Sequence, residues 1–453
     1  MYLLNKTLTF APRLMPSNFL KQTLIGTFFV IASLWLFSLI PEFDLGGFHW
    51  KRVNIVHDLF SAEKKQVAKV DSAQITKPVY VDTCKTGIVC VEDYSKDTSG
   101  LRTFLSALDS SKTRIVRIAW FGDSYVEGDI LLGSLRDTLQ SIFGGSGVGF
   151  VPITSEVAGF RQTVIHSYEN WKIFGIVGNR DAEHPLGPAG FSFVGEEGNA
   201  VSYTAEKRIR LNNFPTAKLF YGNADSALVT ANGTEIALAK VKSVHQRNLG
   251  ENLSALKISV QGKADLYGVS LESKTGICVD NFSMRGNSGI GLNYVNEKMF
   301  RDFDSIHPYD LVVLSYGLNV ANEKSKNYDW YVRSMKPTIA MMKRAFPHSS
   351  ILSIGCSDRA DNIDGELQTM PSVKRLIDAQ RKMAADNEVC FWNLFEAMGG
   401  DSTMIRWADI PKHAFANKDY THLSFYGGKK VADIFLQTIL YEREKYERRK
   451  RSK

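Results

Sequence analysis

At 453 residues, 44% of them apolar and 23% charged, the chain has the composition of a globular protein with room for roughly two to three domains. That composition excludes a largely disordered polymer. The formal charge of +7 suits an anionic envelope polymer or a membrane surface, or serves solubility alone. With no helix-turn-helix, zinc-finger or RNA-recognition pattern, nucleic acid is not an expected partner.

The first element in chain order is the uncharged run 24–40, LIGTFFVIASLWLFSLI, at the lower length limit for a spanning helix. Lys6, Arg13 and Lys21 precede it, and Glu42 and Asp44 follow. The charge bias predicts a cytoplasmic N-terminus (1–23), a transmembrane signal anchor (24–40) in the inner membrane, and a periplasmic remainder. A cleaved signal peptide is disfavoured, because no small-x-small site follows the run. Residues 41–100 are charged and poorly periodic and read as a stalk. Cys84 and Cys90 within it are close enough for a small loop disulfide, whereas Cys278, Cys356 and Cys390 sit in apolar contexts as buried thiols.

Residues 101–108 form a short predicted helix and 114–121 a buried strand. Gly122-Asp123-Ser124 follows that strand. Beyond it, Ile130, Leu131, Leu135, Leu139, Ile142 and Phe143 recur at helical spacing up to Gly144. A strand, a sharp turn carrying serine, then a helix is the geometry that exposes a nucleophile. The texture changes between 155 and 273, where short β-branched runs broken by Gly, Asn and Pro predict an all-β sandwich. α/β alternation then returns over 274–441. It includes strands at 310–316, 350–355 and 389–392, helices at 328–345 and 372–387, and a final helix over 426–441. Residues 442–453 read as a charged helix extension or a disordered basic end.

The candidate chemistry lies at two distant places. Ser124 is a nucleophile only if a base can take its proton, and Asp419-Tyr420-Thr421-His422 offers His422 as base with Asp419 to orient it. Asp123 reads as a brace of the turn through backbone hydrogen bonds. Gly317-Leu318-Asn319 closes a buried strand, and Arg285-Gly286-Asn287 forms a further polar turn. His413 lies near enough in sequence to reach the same cleft but has no partner pattern. No Cys/His spacing suggests a metal site, and neither metal nor cofactor is required.

This order of blocks resembles the SGNH (GDSL-type) hydrolases. Nearest among them are bacterial peptidoglycan O-acetylesterases, in which a carbohydrate-binding-module-like β domain interrupts the hydrolase sequence. The resemblance rests on Trp120-Phe121-Gly122-Asp123-Ser124-Tyr125, on GGSGVGF at 144–150, on Gln368-Thr369-Met370-Pro371 and on Phe391-Trp392-Asn393-Leu394-Phe395. It implies a three-layer α/β/α hydrolase with a mostly parallel sheet, split into 101–154 and 274–441 around the β insert. It also implies a catalytic triad of Ser124, His422 and Asp419. The oxyanion hole would be built from the Ser124 amide, the Asn319 side chain and the amide of Gly286. At that last position Gly286 can equally be a mere turn glycine, with Arg285 or Asn287 at the relevant turn. The family usually carries Asp or Glu after the asparagine, and this chain has Val320. The expected partner is an acetylated glycan, peptidoglycan or an exported polysaccharide, with protein partners unknown. Two other functions remain open at this level: an O-acetyltransferase using the same triad, and an inactive glycan-binding scaffold.

Overall fold

The computed structural model describes residues 17–38, 43–45, 48–50, 84–206 and 212–451. It divides the chain into two compact units, 1–74 and 75–453.

In the first unit the described residues form the helix Ser17–Ser38 and a small hairpin, Phe43–Leu45 with Phe48–Trp50. The helix takes in residues 24–38 of the run 24–40 expected to be a transmembrane anchor. No helix among the described residues is long and apolar enough to cross a membrane. Residues 39 and 40 lie outside the described residues, as do 1–16 of the expected cytoplasmic segment and 51–83 of the expected stalk.

The second unit is built on a six-stranded sheet. Its order is Gly276–Ser283, Ile115–Gly122, Leu311–Ser315, Ser350–Ile354, Cys390–Trp392 and Glu92–Asp93. The first five strands are parallel and the last is antiparallel. Numbered along the chain, the parallel strands run 2-1-3-4-5, so the connections reverse direction between Ile115–Gly122 and Leu311–Ser315. A crevice opens beyond the carboxyl ends of strands at such a reversal. Alternate side chains of Ile115–Gly122 serve opposite layers. Trp120 packs edge-on against Phe435 of the helix Phe425–Arg451, at 5.2 Å between ring centroids. Phe121 faces the other way, toward Phe282 and Phe300. The helices Arg102–Ala107 and Leu132–Phe143 both contact Phe425–Arg451 on one side. Glu297–Ile306, Asp329–Ala345 and Pro371–Asp386 form the opposite layer.

The stalk expected over 41–100 ends earlier than its composition suggests. Val91 and Tyr94 are buried in the hydrolase core, Glu92 pairs with Phe391, and Trp392 Nε1 donates to the Val89 carbonyl at 3.0 Å. Its composition hides this segment because the strand that covers the sheet edge, Glu92–Asp93, is just two acidic residues long. Cys84 and Cys90 form the disulfide, and Cys278, Cys356 and Cys390 are buried free thiols. The charged tail continues the last helix as far as Arg451.

Between the two hydrolase segments lies a nine-stranded, hydrogen-bonded β region with its own hydrophobic cluster. Its spine is a pair of 18-residue antiparallel strands, Phe214–Ala231 and Ala255–Glu272, whose register shifts at several points. Such bulges bend and twist long strands, letting one ladder serve more than one layer. Gly147–Val151, from the segment expected to belong to the hydrolase, joins this region by pairing with Ala255–Glu272. The seam between β region and hydrolase sheet is buried and charged. Arg117 forks onto Glu272 at 2.7 and 2.9 Å, and Asp280 accepts from the Phe150 amide and the Tyr309 hydroxyl and meets His307 Nε2 at 2.9 Å. Burial pushes the Glu272 and Asp280 carboxyls up, but their cationic neighbours and hydrogen bonds outweigh it and hold both below the usual range.

Candidate active site

Ser124 stands immediately beyond the strand Ile115–Gly122, where the chain must turn within the crevice. Gly122 is required there by close approach, because a Cβ would overlap the Val126 side chain and press on the Ser315 carbonyl. Asp123 is buried beneath the turn. Its Oδ1 accepts the Tyr125 amide at 2.9 Å and its Oδ2 accepts the Asn319 side-chain amide at 2.8 Å. The bracing role expected of Asp123 thus extends to the neighbouring strand end.

The base arrives from a loop 298 residues away. Ser124 Oγ lies 3.0 Å from His422 Nε2, and His422 Nδ1 lies 2.7 Å from Asp419 Oδ2. The other oxygen, Asp419 Oδ1, accepts the backbone amides of Thr421 and His422, both at 3.0 Å. Burial pushes this carboxyl up, but the His422 amide and ring and the Thr421 amide outweigh it and hold it below the usual range. A charged Asp419 on Nδ1 keeps the proton there, which leaves the Nε2 lone pair facing the serine hydroxyl. The loop is tight: Asn417 N donates to the His422 carbonyl, and Tyr420 takes a left-handed φ of 51°. Ser124, His422, Asp419 and Asn319 line one cleft of about 370 Å³, together with Asp123, Tyr125, Leu318, Arg359 and Thr421.

A search of solved structures matches a peptidoglycan O-acetylesterase at TM-score 0.67, with 21% identity, covering 78% of this chain and 99% of that one. The chain has the SGNH hydrolase fold. Lower-scoring matches include a family two carbohydrate esterase from Clostridium thermocellum, at TM-score 0.26 and 11% identity, covering 60% of this chain and 99% of that one. An acetylxylan esterase from Geobacillus stearothermophilus gives TM-score 0.26 and 18% identity over 36% of this chain and 73% of that one. No protein-family model and no curated protein matches the chain.

Within the SGNH fold the three expected oxyanion donors stand differently. The Ser124 backbone N–H makes no hydrogen bond among the described residues and is free to receive charge. Asn319 lines the cleft, but its amide nitrogen already donates to Asp123 Oδ2 and, at 3.1 Å, to the Asn287 carbonyl. To serve an oxyanion it must share or release one of these bonds. Gly286 is exposed, with a φ of 72° that favours glycine, and it is not among the residues lining the cleft. The geometry supports the turn-glycine reading of Gly286. The His413 ring lies tilted against Tyr426, 4.3 Å between centroids, and is also absent from the cleft lining.

Arg359 is the cleft residue that the sequence reading missed. It follows the strand Ser350–Ile354 by a few residues, and its Nη1 makes a long 3.4 Å contact to the Leu318 carbonyl. Its position past a carboxyl strand end was the available signal.

Burial raises the Asp123 carboxyl to about 6, whereas in the unfolded chain it titrates near its ordinary value of 3.8. Between those values the folded state binds more protons, so this group's stability contribution is largest at low pH and is lost as pH rises through about 6. In denaturant unfolding between pH 4 and 7, wild type should lose roughly 2–2.5 kcal/mol relative to Asp123→Asn as pH rises. A pH-independent difference would mean that the carboxyl is not held up by burial.

Proposed function

We propose that this chain is a serine esterase that removes O-acetyl groups from an envelope glycan, most plainly peptidoglycan. The observation that carries the proposal is the hydrogen-bonded line Ser124–His422–Asp419 in an open cleft. In this reading Ser124 Oγ passes its proton to His422 Nε2 and attacks the acetyl carbonyl carbon. Negative charge on the carbonyl oxygen is met by the Ser124 N–H and by the Asn319 amide as it releases one of its present bonds. Asp419 stabilises the imidazolium. His422 then returns the proton to the sugar oxygen as the ester C–O bond breaks, leaving acetyl-Ser124. Water, deprotonated by the same histidine, releases acetate. The His422 side chain is 40% exposed, which leaves the acyl-enzyme open to water.

The substrate class is supported by the fold shared with a peptidoglycan O-acetylesterase over 78% of the chain. The reading includes action outside the cytoplasm, with the N-terminal segment holding the chain at the inner membrane. Support for that location comes from the Cys84–Cys90 disulfide, which persists in oxidising compartments. The uncharged run 24–40 and its basic leading flank add to it. The test is acetate release from O-acetylated peptidoglycan by the purified protein, set beside acetylated xylan, with an added sugar acceptor in parallel. Release from peptidoglycan is expected, with no acetyl transfer to the acceptor. Acetate from xylan alone would move the substrate, and acetyl-sugar formation would make the chain a transferase.

A further inference from the structure

The catalytic cleft does not end at Asn319. The same asparagine lines a second, more open depression of about 550 Å³, whose lining includes Trp330, Lys324 and Asp361. Its volume falls within the range of about 300–1,000 Å³ usual for ligand sites. Trp330 is 43% exposed. One exposed tryptophan needs no explanation by itself; its mounting is what distinguishes this one. Trp330 stands in the first turn of the helix Asp329–Ala345, between Tyr328 and Tyr331, both almost fully buried. The Tyr328 hydroxyl accepts the Asn322 amide at 3.0 Å, and the Tyr331 hydroxyl donates to the Ser288 carbonyl at 2.7 Å.

The walls of this groove are equally fixed. Glu323 accepts the Ser372 amide at 2.9 Å, which fastens the loop after Asn319 to the helix Pro371–Asp386. Opposite, the hairpin Ala360–Ile363 with Glu366–Thr369 carries Asp361, and its Ala360 amide donates to the Tyr420 carbonyl in the histidine loop. An exposed aromatic side chain on a fastened helix turn therefore stands beside hydrogen-bonding side chains, in a depression that shares Asn319 with the serine cleft.

We propose that this groove is a sugar subsite, in which Trp330 stacks on the gluco-configured pyranose next to the acetylated residue. This rests on the esterase reading above and adds where the polymer lies. Pyranoses of that configuration present a face of C–H groups while their hydroxyls point outward. The C–H face meets the electron-rich indole ring, and the hydroxyls meet groups such as Asn322, Lys324 and Asp361. Because Tyr328 and Tyr331 already fasten the helix turn that carries Trp330, stacking need order little backbone.

The test is binding to Ser124→Ala protein, which is read without turnover. Two probes are used, chitotetraose and muramidase-released fragments of O-acetylated peptidoglycan, followed by calorimetry and tryptophan fluorescence. Adding Trp330→Ala should weaken binding of the fragments at least tenfold, while Trp330→Phe, which keeps an aromatic face, retains most of it. The emission change on binding should disappear in both. If the alanine variant does not fold by circular dichroism, the phenylalanine variant's fluorescence decides alone. Undiminished affinity in Trp330→Ala, an emission change that survives in Trp330→Phe, or no binding of either probe to Ser124→Ala would each overturn the subsite. Acetate release by the wild-type protein judges the esterase reading separately.

Discussion

Replacing Ser124 with alanine is expected to lower kcat/KM on a small acetate ester by on the order of 10⁴–10⁶-fold, with the melting temperature unchanged. The effect is large because the hydroxyl is the atom that forms the acyl bond, and His422 has no other partner to activate in the cleft. The side chain is small, partly buried, and bonded only to His422 among the described residues, so its loss opens no core cavity. His422→Ala should be nearly as damaging. Combining the two should cost little more than either alone, since residues acting as one unit are not additive. Asp419→Ala should be milder by roughly a hundredfold, because half of that side chain already faces water, which can partly replace it. A Ser124→Ala protein retaining a tenth of wild-type turnover would remove Ser124 from this role.

Asp129→Ala is expected to cost about 3–5 kcal/mol of stability. At about 2–4 °C per kcal/mol for a domain of this size or somewhat smaller, the melting temperature should fall by roughly 6–20 °C. Asp129 lies five residues past the serine at a φ of 60°, almost wholly buried. Its carboxylate accepts from Arg136 at 3.0 Å, Thr163 at 2.6 Å and Asn281 at 2.8 Å, and Arg161 approaches to 2.7 Å without hydrogen-bond alignment. Burial opposes its charge, but two guanidiniums and these donors outweigh it and hold the carboxyl well below its ordinary value. The guanidiniums themselves divide: Arg136 is held up by Asp129, while burial and the nearby Arg136 push Arg161 down. One carboxylate thus serves two buried cations, and removing it strands both. The folded-state value is depressed, so this stabilisation is present above the ordinary value of 3.8 and lost as pH falls below it. Thermal unfolding at neutral pH and near pH 3 checks both parts. A loss under 1 kcal/mol at neutral pH would show that the cluster is solvated rather than sealed.

Much of this site is legible in the chain itself because each part abuts a strong local signal. The run at 115–121 is apolar enough to be a buried strand, and the serine turn follows at once. Asn319 ends another such run, and Asp419 and His422 are close enough to pair within one loop. What local pattern does not carry is long-range geometry. Arg161 reaches Asp129 from a later loop, and Arg117 reaches Glu272 over a separation of 155 residues. Gly147–Val151 has too many glycines to look like a strand, yet it completes the β region. Trp330 fits the amphipathic pattern of its helix, so its outward position depends on burial that only tertiary packing decides. The commitment of the Asn319 amide to Asp123 and Asn287 likewise belongs to the folded turn and not to its sequence.

The two 18-residue strands have unequal ends. Near Phe214 and Glu272 they run into the charged seam and the Phe150–Phe220–Phe303 rings of the hydrolase. At its other end Phe214–Ala231 turns at Asn232-Gly233 into the short, largely exposed strand Thr234–Ala237. Evolutionary change in length should therefore be lopsided. Homologous chains can lengthen, trim or redecorate the outer turns and so alter what the surface meets, since loop tips tolerate such change. The inner half must be inherited together with Arg117, Asp280 and His307, as one indivisible block with the catalytic sheet.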